Sequence, residues 1–164
     1  MTVLLVPSPK GPLTLRPETP ADSDFRYQLF CDSRPSEWSA MVLGPMREIL
    51  MRQQFHAQTV GYRSQFEHAR FDIIEHDKRP IGRIVIDITA SAVRLVDQAI
   101  VPQERSHGFG TAVMRYWMDK AAARNLPMRL MVASTNHRAR QLYLRLGFRP
   151  IHGDLQNTEM EWRP

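Results

Sequence analysis

The chain is 164 residues long, with 43% hydrophobic and 24% charged side chains, which suits one globular domain and excludes fibrous, collagen-like and disordered classes. No run reaches the roughly 18 to 20 apolar residues of a membrane span, and the opening MTVLLVPSPK lacks the basic start and long apolar stretch of a leader, so a cytoplasmic location without a membrane partner is expected. The formal charge of +5 says less than its distribution, taken up below.

Leu13 and Leu15 alternate in a short first strand that ends at Arg16-Pro17. Thr19-Pro20-Ala21-Asp22 then reads as an N-cap followed by proline at the first helical position, opening a helix with Phe25, Leu29 and Phe30. Gly44-Pro45 starts a second helix, with Met46, Ile49, Leu50 and Phe55 on one face, that runs toward Tyr62 or Phe66. Residues 71–76, 81–88 and 93–101 form a three-strand meander, its first turn at Asp77-Lys78-Arg79-Pro80. Phe109, Ala112, Val113, Tyr116 and Trp117 recur at helical spacing, predicting an amphipathic helix on the sheet that ends near Asn125. Met128, Leu130 and Val132 mark another strand. Asn136 caps a helix whose apolar side is Ala139, Leu142, Tyr143 and Leu146, with Gly147 in the C′ position. Residues 148–151 and 158–162 close the chain as a strand pair, giving the order β-α-α-β-β-β-α-β-α-β-β. Cys31 is the single cysteine, which excludes an internal disulfide and reads as a small buried hydrophobe.

Residues 105–149 hold nine basic side chains against one acid, Asp119, a local balance of +8, while the remainder is slightly acidic. Arginine makes up 19 of the 22 basic residues, and its planar fork suits phosphates. An anionic partner is one reading of this segment, and solvated helix faces are the other. Nucleic acid is not expected, because these arginines fall mostly on helices that pack on the sheet, without interleaved aromatic pairs for stacking.

The chemistry concentrates where the third meander strand meets its helix, at Gln98-Ala99-Ile100-Val101-Pro102-Gln103-Glu104-Arg105-Ser106-His107-Gly108-Phe109-Gly110-Thr111. A turn that opens a helix leaves backbone N–H groups converging on one spot, where the helix dipole favours an anion. Gly108 and Gly110 let that backbone approach a diphosphate closely, and Thr111 adds a hydroxyl. No G-K-[ST] follows, which excludes a Walker loop, and the third glycine and downstream acid of a dinucleotide fingerprint are missing. An acyl carrier with a diphosphate remains. A glycine pair before a helix also serves ordinary packing.

These residues resemble the GNAT N-acetyltransferase superfamily. The R/Q-x-x-G-x-G/A signature stands as Arg105-Ser106-His107-Gly108-Phe109-Gly110, and the second signature as Asn136, Ala139 and Leu142-Tyr143-Leu144-Arg145-Leu146-Gly147-Phe148. The resemblance covers nearly the whole chain as one domain and is weakest before residue 70. It implies an α/β (α+β) fold, with a mixed, mostly antiparallel sheet whose central strands splay apart. It further implies an acetyl-CoA site: the diphosphate on the turn from Arg105 through Ser106, His107, Gly108, Phe109 and Gly110 to Thr111, and the pantetheine arm along Ile100 and Val101. Asn136 and Ala139 would flank the arm, and Tyr143 would point its hydroxyl at the sulfur. Read without the family, Tyr143 belongs to the apolar stripe of its helix.

The implied activity is direct attack of a primary amine, on a small molecule or a protein, within a ternary complex. An alkyl ammonium of pKa near 10.4 costs roughly 4.6 kcal/mol to deprotonate at pH 7, so a base is needed. The glutamate that several relatives carry on the central strands is missing: residues 93–101 offer Asp97 and Gln98. Asp97 is the candidate base, with Glu75 or a water chain as alternatives. Ser106-His107 departs from the basic turns frequent in the family, but Ser106 still donates. The histidines show no metal-ligand spacing, and no metal is expected. Residues 21–70 would line the acceptor pocket, with Phe25, Phe55, Gln58 and Tyr62 as candidates. Homodimerisation, common among relatives, is expected by analogy alone. A catalytically silent acyl-CoA-binding sensor or interaction module is the alternative reading.

Overall fold

The computed structural model describes residues 2–34 and 44–164. Eight strands build one sheet: β1 (Leu4–Val6), β2 (Leu13–Pro17), β3 (Arg70–His76), β4 (Arg79–Ile88), β5 (Val93–Ile100), β6 (Met128–Ala133), β7 (Arg149–Gly153) and β8 (Asn157–Trp162). Their spatial order is β1-β2-β3-β4-β5-β6-β8-β7, and every neighbouring pair is antiparallel except β5 with β6. The helices are α1 (Ser23–Asp32), α2 (Pro45–Gln65), α3 (Phe109–Ala122) and α4 (His137–Arg145). This is the mixed α/β sheet expected from the sequence.

Local chemistry explains the elements. Asp77 and Lys78 both hold positive φ, 50° and 62°, so the β3–β4 hairpin turns on two residues rather than the four expected, and Arg79 and Pro80 already pair with β3. Before α1, the Arg16 fork grips both oxygens of Asp22 at 2.8 and 2.7 Å, and the Thr19 amide donates to the same carboxylate, fixing the chain's exit from β2. Gly147, at φ 97°, ends α4 as expected and delivers fully buried Phe148 into the core. The strand β1 was not anticipated, because three residues carry too little alternation to read; Val6 is buried and Leu5 exposed.

Two expectations are corrected. On α2 the buried residue is Met51, while Met46, Ile49 and Leu50 point outward. The reason is register: one turn after Met51, Phe55 packs on Tyr27 and Phe30 of α1, with ring centroids 5.5 and 5.6 Å apart, so the inner face is offset from the one assumed. Cys31 is only partly buried.

Helix α3 supplies the main inner face. Phe109, Val113, Met114, Trp117, Met118 and Ala121 are buried against sheet residues such as Ile84, Ile86, Leu130 and Met160. Each large apolar side chain buried there contributes about 1.5–3 kcal/mol, so the start of α3 is fixed by its own core contacts. No described helix is long and apolar enough to cross a membrane.

The sheet opens at its centre. Val85 pairs with Asp97 but Ile86 pairs with Leu95, leaving Val96 as an extra residue in β5. Such a bulge bends its strand. The parallel pairing of β5 with β6 ends at the same place, covering only Val93–Leu95 against Met128–Leu130. Beyond it β5 continues along β4 while its other edge is left open.

Candidate active site

At the end of β5 the Val101 amide donates to the Ile81 carbonyl at 2.9 Å. Strand alternation then turns the backbone groups of Ile100 and Gln98 toward the open edge and those of Val101 and Ala99 toward β4. Of the two residues assigned to a pantetheine arm, Ile100 therefore faces the gap. Its carbonyl accepts from Arg105 Nε at 2.9 Å, and Arg105 Nη2 reaches the Asp32 carbonyl at 3.2 Å. Arg105 thus straps the turn to β5 and to the end of α1.

The turn opens α3 on a glycine, the strand-turn-helix junction read from the sequence. Gly108 is the N-cap of α3, in the left-handed region at φ 83°, with no side-chain cap on the helix. The first amides of α3, on Phe109, Gly110 and Thr111, have no intrahelical acceptor. Ser106 also holds positive φ, 66°, and receives a hydrogen bond on Oγ from Arg138 Nη2 of α4 at 2.9 Å. His107 is exposed and meets Glu104 at 3.2 Å. The Phe109 ring is buried, so only its backbone can face a ligand. Gly110 has a packing role as well: its carbonyl accepts from Gln98 Nε2 at 2.9 Å, and a Cβ there would lie 3.3 Å from the same atom.

A cleft of about 140 Å³ occupies the splay between β5 and β6, reaching α4 at Asn136, Ala139 and Tyr143. Asn136 accepts from the Ala139 amide at 3.2 Å, the helix cap expected from the sequence. Tyr143 packs its ring 5.8 Å from that of Phe148, while its hydroxyl has no hydrogen-bond partner among the described residues. Burial, and secondarily the Asp97 charge, push the phenol up to about 12. It is therefore a proton donor at neutral pH.

A second cavity, of about 240 Å³, lies on the other side of β5, walled by α1, α2 and β4. Asp97, Gln98 and Asn136 line both cavities, so the two meet there. Burial raises the Asp97 pKa, opposed by the Arg83 guanidinium at 3.3 Å. Arg83 in turn donates from Nε to Glu18 at 3.0 Å, and Glu18, 2% exposed, also holds Arg26 at 2.9 Å and Arg63. Glu75, the alternative base, lines neither cavity and is paired with Arg16 at 2.7 Å. Of the residues assigned to an acceptor pocket, Phe55 and Gln58 line this cavity; Phe25 and Tyr62 do not, and residues 35–43 of that region lie outside the described residues.

Sequence reasoning missed Glu18, Arg26 and Arg83, and counted Arg138 in the basic segment without singling it out. One signal was available: Arg83 is a charge inside the apolar run IGRIVIDI, and a buried charge calls for a buried partner. That the partner is Glu18, 65 residues away, no spacing could indicate. Among the described residues no group of three or more His, Cys, Asp or Glu side chains gathers to hold a metal.

A family model described as the acetyltransferase (GNAT) family matches residues 27–148. Among solved structures, the PaiA N-acetyltransferase from Thermoplasma acidophilum in complex with coenzyme A superposes with a TM-score of 0.70 at 19% identity, covering 93% of this chain and 99% of that one. RimJ from Mycobacterium smegmatis in complex with CoA-disulfide gives 0.67 at 16% identity, covering 98% and 86%. The ribosomal-protein-S18-alanine N-acetyltransferase from Escherichia coli gives 0.65 at 15%, covering 92% and 93%. At these identities the likeness is one of fold. No curated sequence matches.

Proposed function

The chain belongs to the acetyltransferase (GNAT) family, and from that premise we propose that it moves an acetyl group from acetyl-CoA to a primary amine of a small molecule or protein, by direct attack in a ternary complex. One observation carries the reading: the cleft in the splay and the cavity behind it meet at Asp97, Gln98 and Asn136, so a donor and an acceptor entering from opposite sides of β5 would meet there.

The residues fit the donor. Free amides at the start of α3, the left-handed Gly108 and the Arg138–Ser106 contact suit a diphosphate, and the open edge at Gln98 and Ile100 suits the amides of a pantetheine arm. Acetyl-CoA, when bound, supplies an acetyl group activated as a thioester.

The chain's own groups then manage two protons. Asp97 sits at the junction, and its burial, by raising its pKa, makes it a better acceptor for a proton from an acceptor ammonium. Tyr143 keeps its proton far above neutral pH and offers it in the cleft, where a departing thiolate needs one. Holding the two reactants across β5 supplies the remaining advantage, that of proximity.

The test is calorimetric titration with acetyl-CoA, with ATP as control, followed by CoA-thiol release against an amine panel. Micromolar binding, about −8 kcal/mol, together with amine-dependent thiol release is the expected result. Binding without turnover would make the protein a silent acyl-CoA sensor, and no binding at millimolar concentration would overturn the reading.

A further inference from the structure

Resting on the acetyltransferase reading, we propose that the acceptor is a small amine that also carries an anionic group, a carboxylate or a phosphate, held in the cavity behind β5 by Arg26 and Arg34.

Among the described residues the charges around this cavity do not balance. Arg26, Arg34 and Arg83 line it, and Asp97 is the one acid among its described lining residues. Beneath the wall, Glu18 is shared by Arg26, Arg63 and Arg83. Among the described residues, Arg26, Arg34, Arg63 and Arg83 therefore have Glu18 and Asp97 as their near carboxylates, with Asp22 adding a weaker pull on Arg26. Arg34 stacks over the Phe30 ring at 4.1 Å and has no carboxylate partner among the described residues. Arg26 uses Nη1 on Glu18, but its Nε is buried with no acceptor. Burial lowers the Arg26 pKa, and the charges of Arg83 and Arg63 lower it further, against the pull of Glu18 and Asp22. An orphaned, desolvated guanidinium donor beside a cation with no carboxylate partner among the described residues makes a site suited to an anion.

The same excess bears on the reaction. A cationic cavity disfavours an ammonium and favours the free amine, which is the form that attacks. It also rejects diamines, whose second charge would meet Arg26 and Arg34. Size adds a limit, since about 240 Å³ lies below the roughly 300–1,000 Å³ of drug-sized pockets.

The experiment compares kcat/KM, by thiol release at low ionic strength, within two matched sets. The first is β-alanine, O-phosphoethanolamine, β-alaninamide, propylamine and 1,3-diaminopropane; the second is phenylalanine, phenylalaninamide and phenethylamine. Anionic members are expected to exceed their neutral partners about tenfold or more, with diaminopropane last. β-Alanine against O-phosphoethanolamine tells carboxylate from phosphate. Arg34→Gln is expected to erase most of this preference while acetyl-CoA affinity stays within about twofold; Arg26→Gln checks the second donor. Neutral amines or the diamine equalling the anionic members would overturn the proposal. If acetyl-CoA binds and no amine reacts, or if acetyl-CoA fails to bind and the acetyltransferase reading falls, ¹⁵N-arginine spectra titrated with β-alanine and O-phosphoethanolamine decide. A shifted Arg26 Nε–H resonance, not produced by propylamine, upholds the anion site, and an unmoved one overturns it.

Discussion

Arg83 lies 3.3 Å from Asp97 and also pairs with Glu18, whose side chain is nearly inaccessible, so the candidate base is tied to a buried ion cluster beside the second cavity. The signs of the two effects on Asp97 are opposite. Burial raises its pKa and Arg83 lowers it, with burial the larger. Removing the guanidinium therefore takes away the largest opposing effect and leaves the weaker ones of the Gln98 amide and Arg34. In Arg83→Gln the acidic limb of kcat/KM against pH should move to higher pH, because Asp97 must be unprotonated to accept a proton. Asp97→Asn should remove that limb and lower kcat about a hundredfold or more. A limb that stays in place in both variants would reduce Asp97 to a structural acceptor.

Tyr143 allows a separation of binding from turnover. Its ring rests on Phe148 and its hydroxyl has no hydrogen-bond partner among the described residues, so Tyr143→Phe keeps the packing and deletes one donor. The expected result is a fall in kcat of about a hundredfold with acetyl-CoA affinity within about twofold. Since the phenol is pushed up to about 12, the native enzyme should show no basic limb from this group below about pH 11. Equal losses in binding and turnover would return Tyr143 to a packing role.

What could be read in the chain and what could not divide along a physical line. The turn at Gly108, the cap at Asn136 and the stop at Gly147 are local: each is set by backbone groups within a few residues, and each stands where the sequence places it. The splay could be expected only through resemblance, because its cause, the extra residue Val96, is a mismatch between two strands and leaves no mark on either alone. The arginine cluster was illegible for a related reason. Arg26, Arg63, Arg83 and Glu18 meet from two helices, one strand and the loop after β2, and charge counting along the chain pointed instead to residues 105–149. The inner face of α2 was misjudged because Met46, Ile49 and Leu50 satisfy helical spacing as well as the buried set does.

Gly82 on β4 is a stability determinant of the same open edge. It stands opposite Ile100, and a Cβ there would come within 2.4 Å of the Ala99 carbonyl oxygen, a backbone atom that only strand displacement can move. Gly82→Ala should cost about 1–3 kcal/mol, the usual range for overpacking. At about 2–4 °C per kcal/mol for a chain of this size, the melting temperature should fall by several degrees. Because the displaced segment carries Ile100, acetyl-CoA affinity should fall with it. A neutral melting curve would mean that β4 and β5 part more easily than their pairing suggests.

Arg138 offers a cleaner probe of the anion cradle than the glycines do. Tryptophan at Gly110 would fill the cradle but would also strike Gln98, so lost binding there would not distinguish a blocked site from a shifted helix. Arg138 is exposed on the first turn of α4 and touches the cradle only through Ser106 Oγ, at 2.9 Å. Its removal breaks no core contact, so Arg138→Ala should melt with the native protein. If its guanidinium serves the phosphates of CoA, affinity should fall about tenfold at low ionic strength, the weight of one charge-assisted contact. The gap should narrow steadily toward 0.5 M salt, where exposed charges are screened beyond about 4–5 Å. Calorimetry at three salt concentrations checks both statements, and a loss that is independent of salt would assign Arg138 to shaping the Ser106 turn instead of meeting an anion.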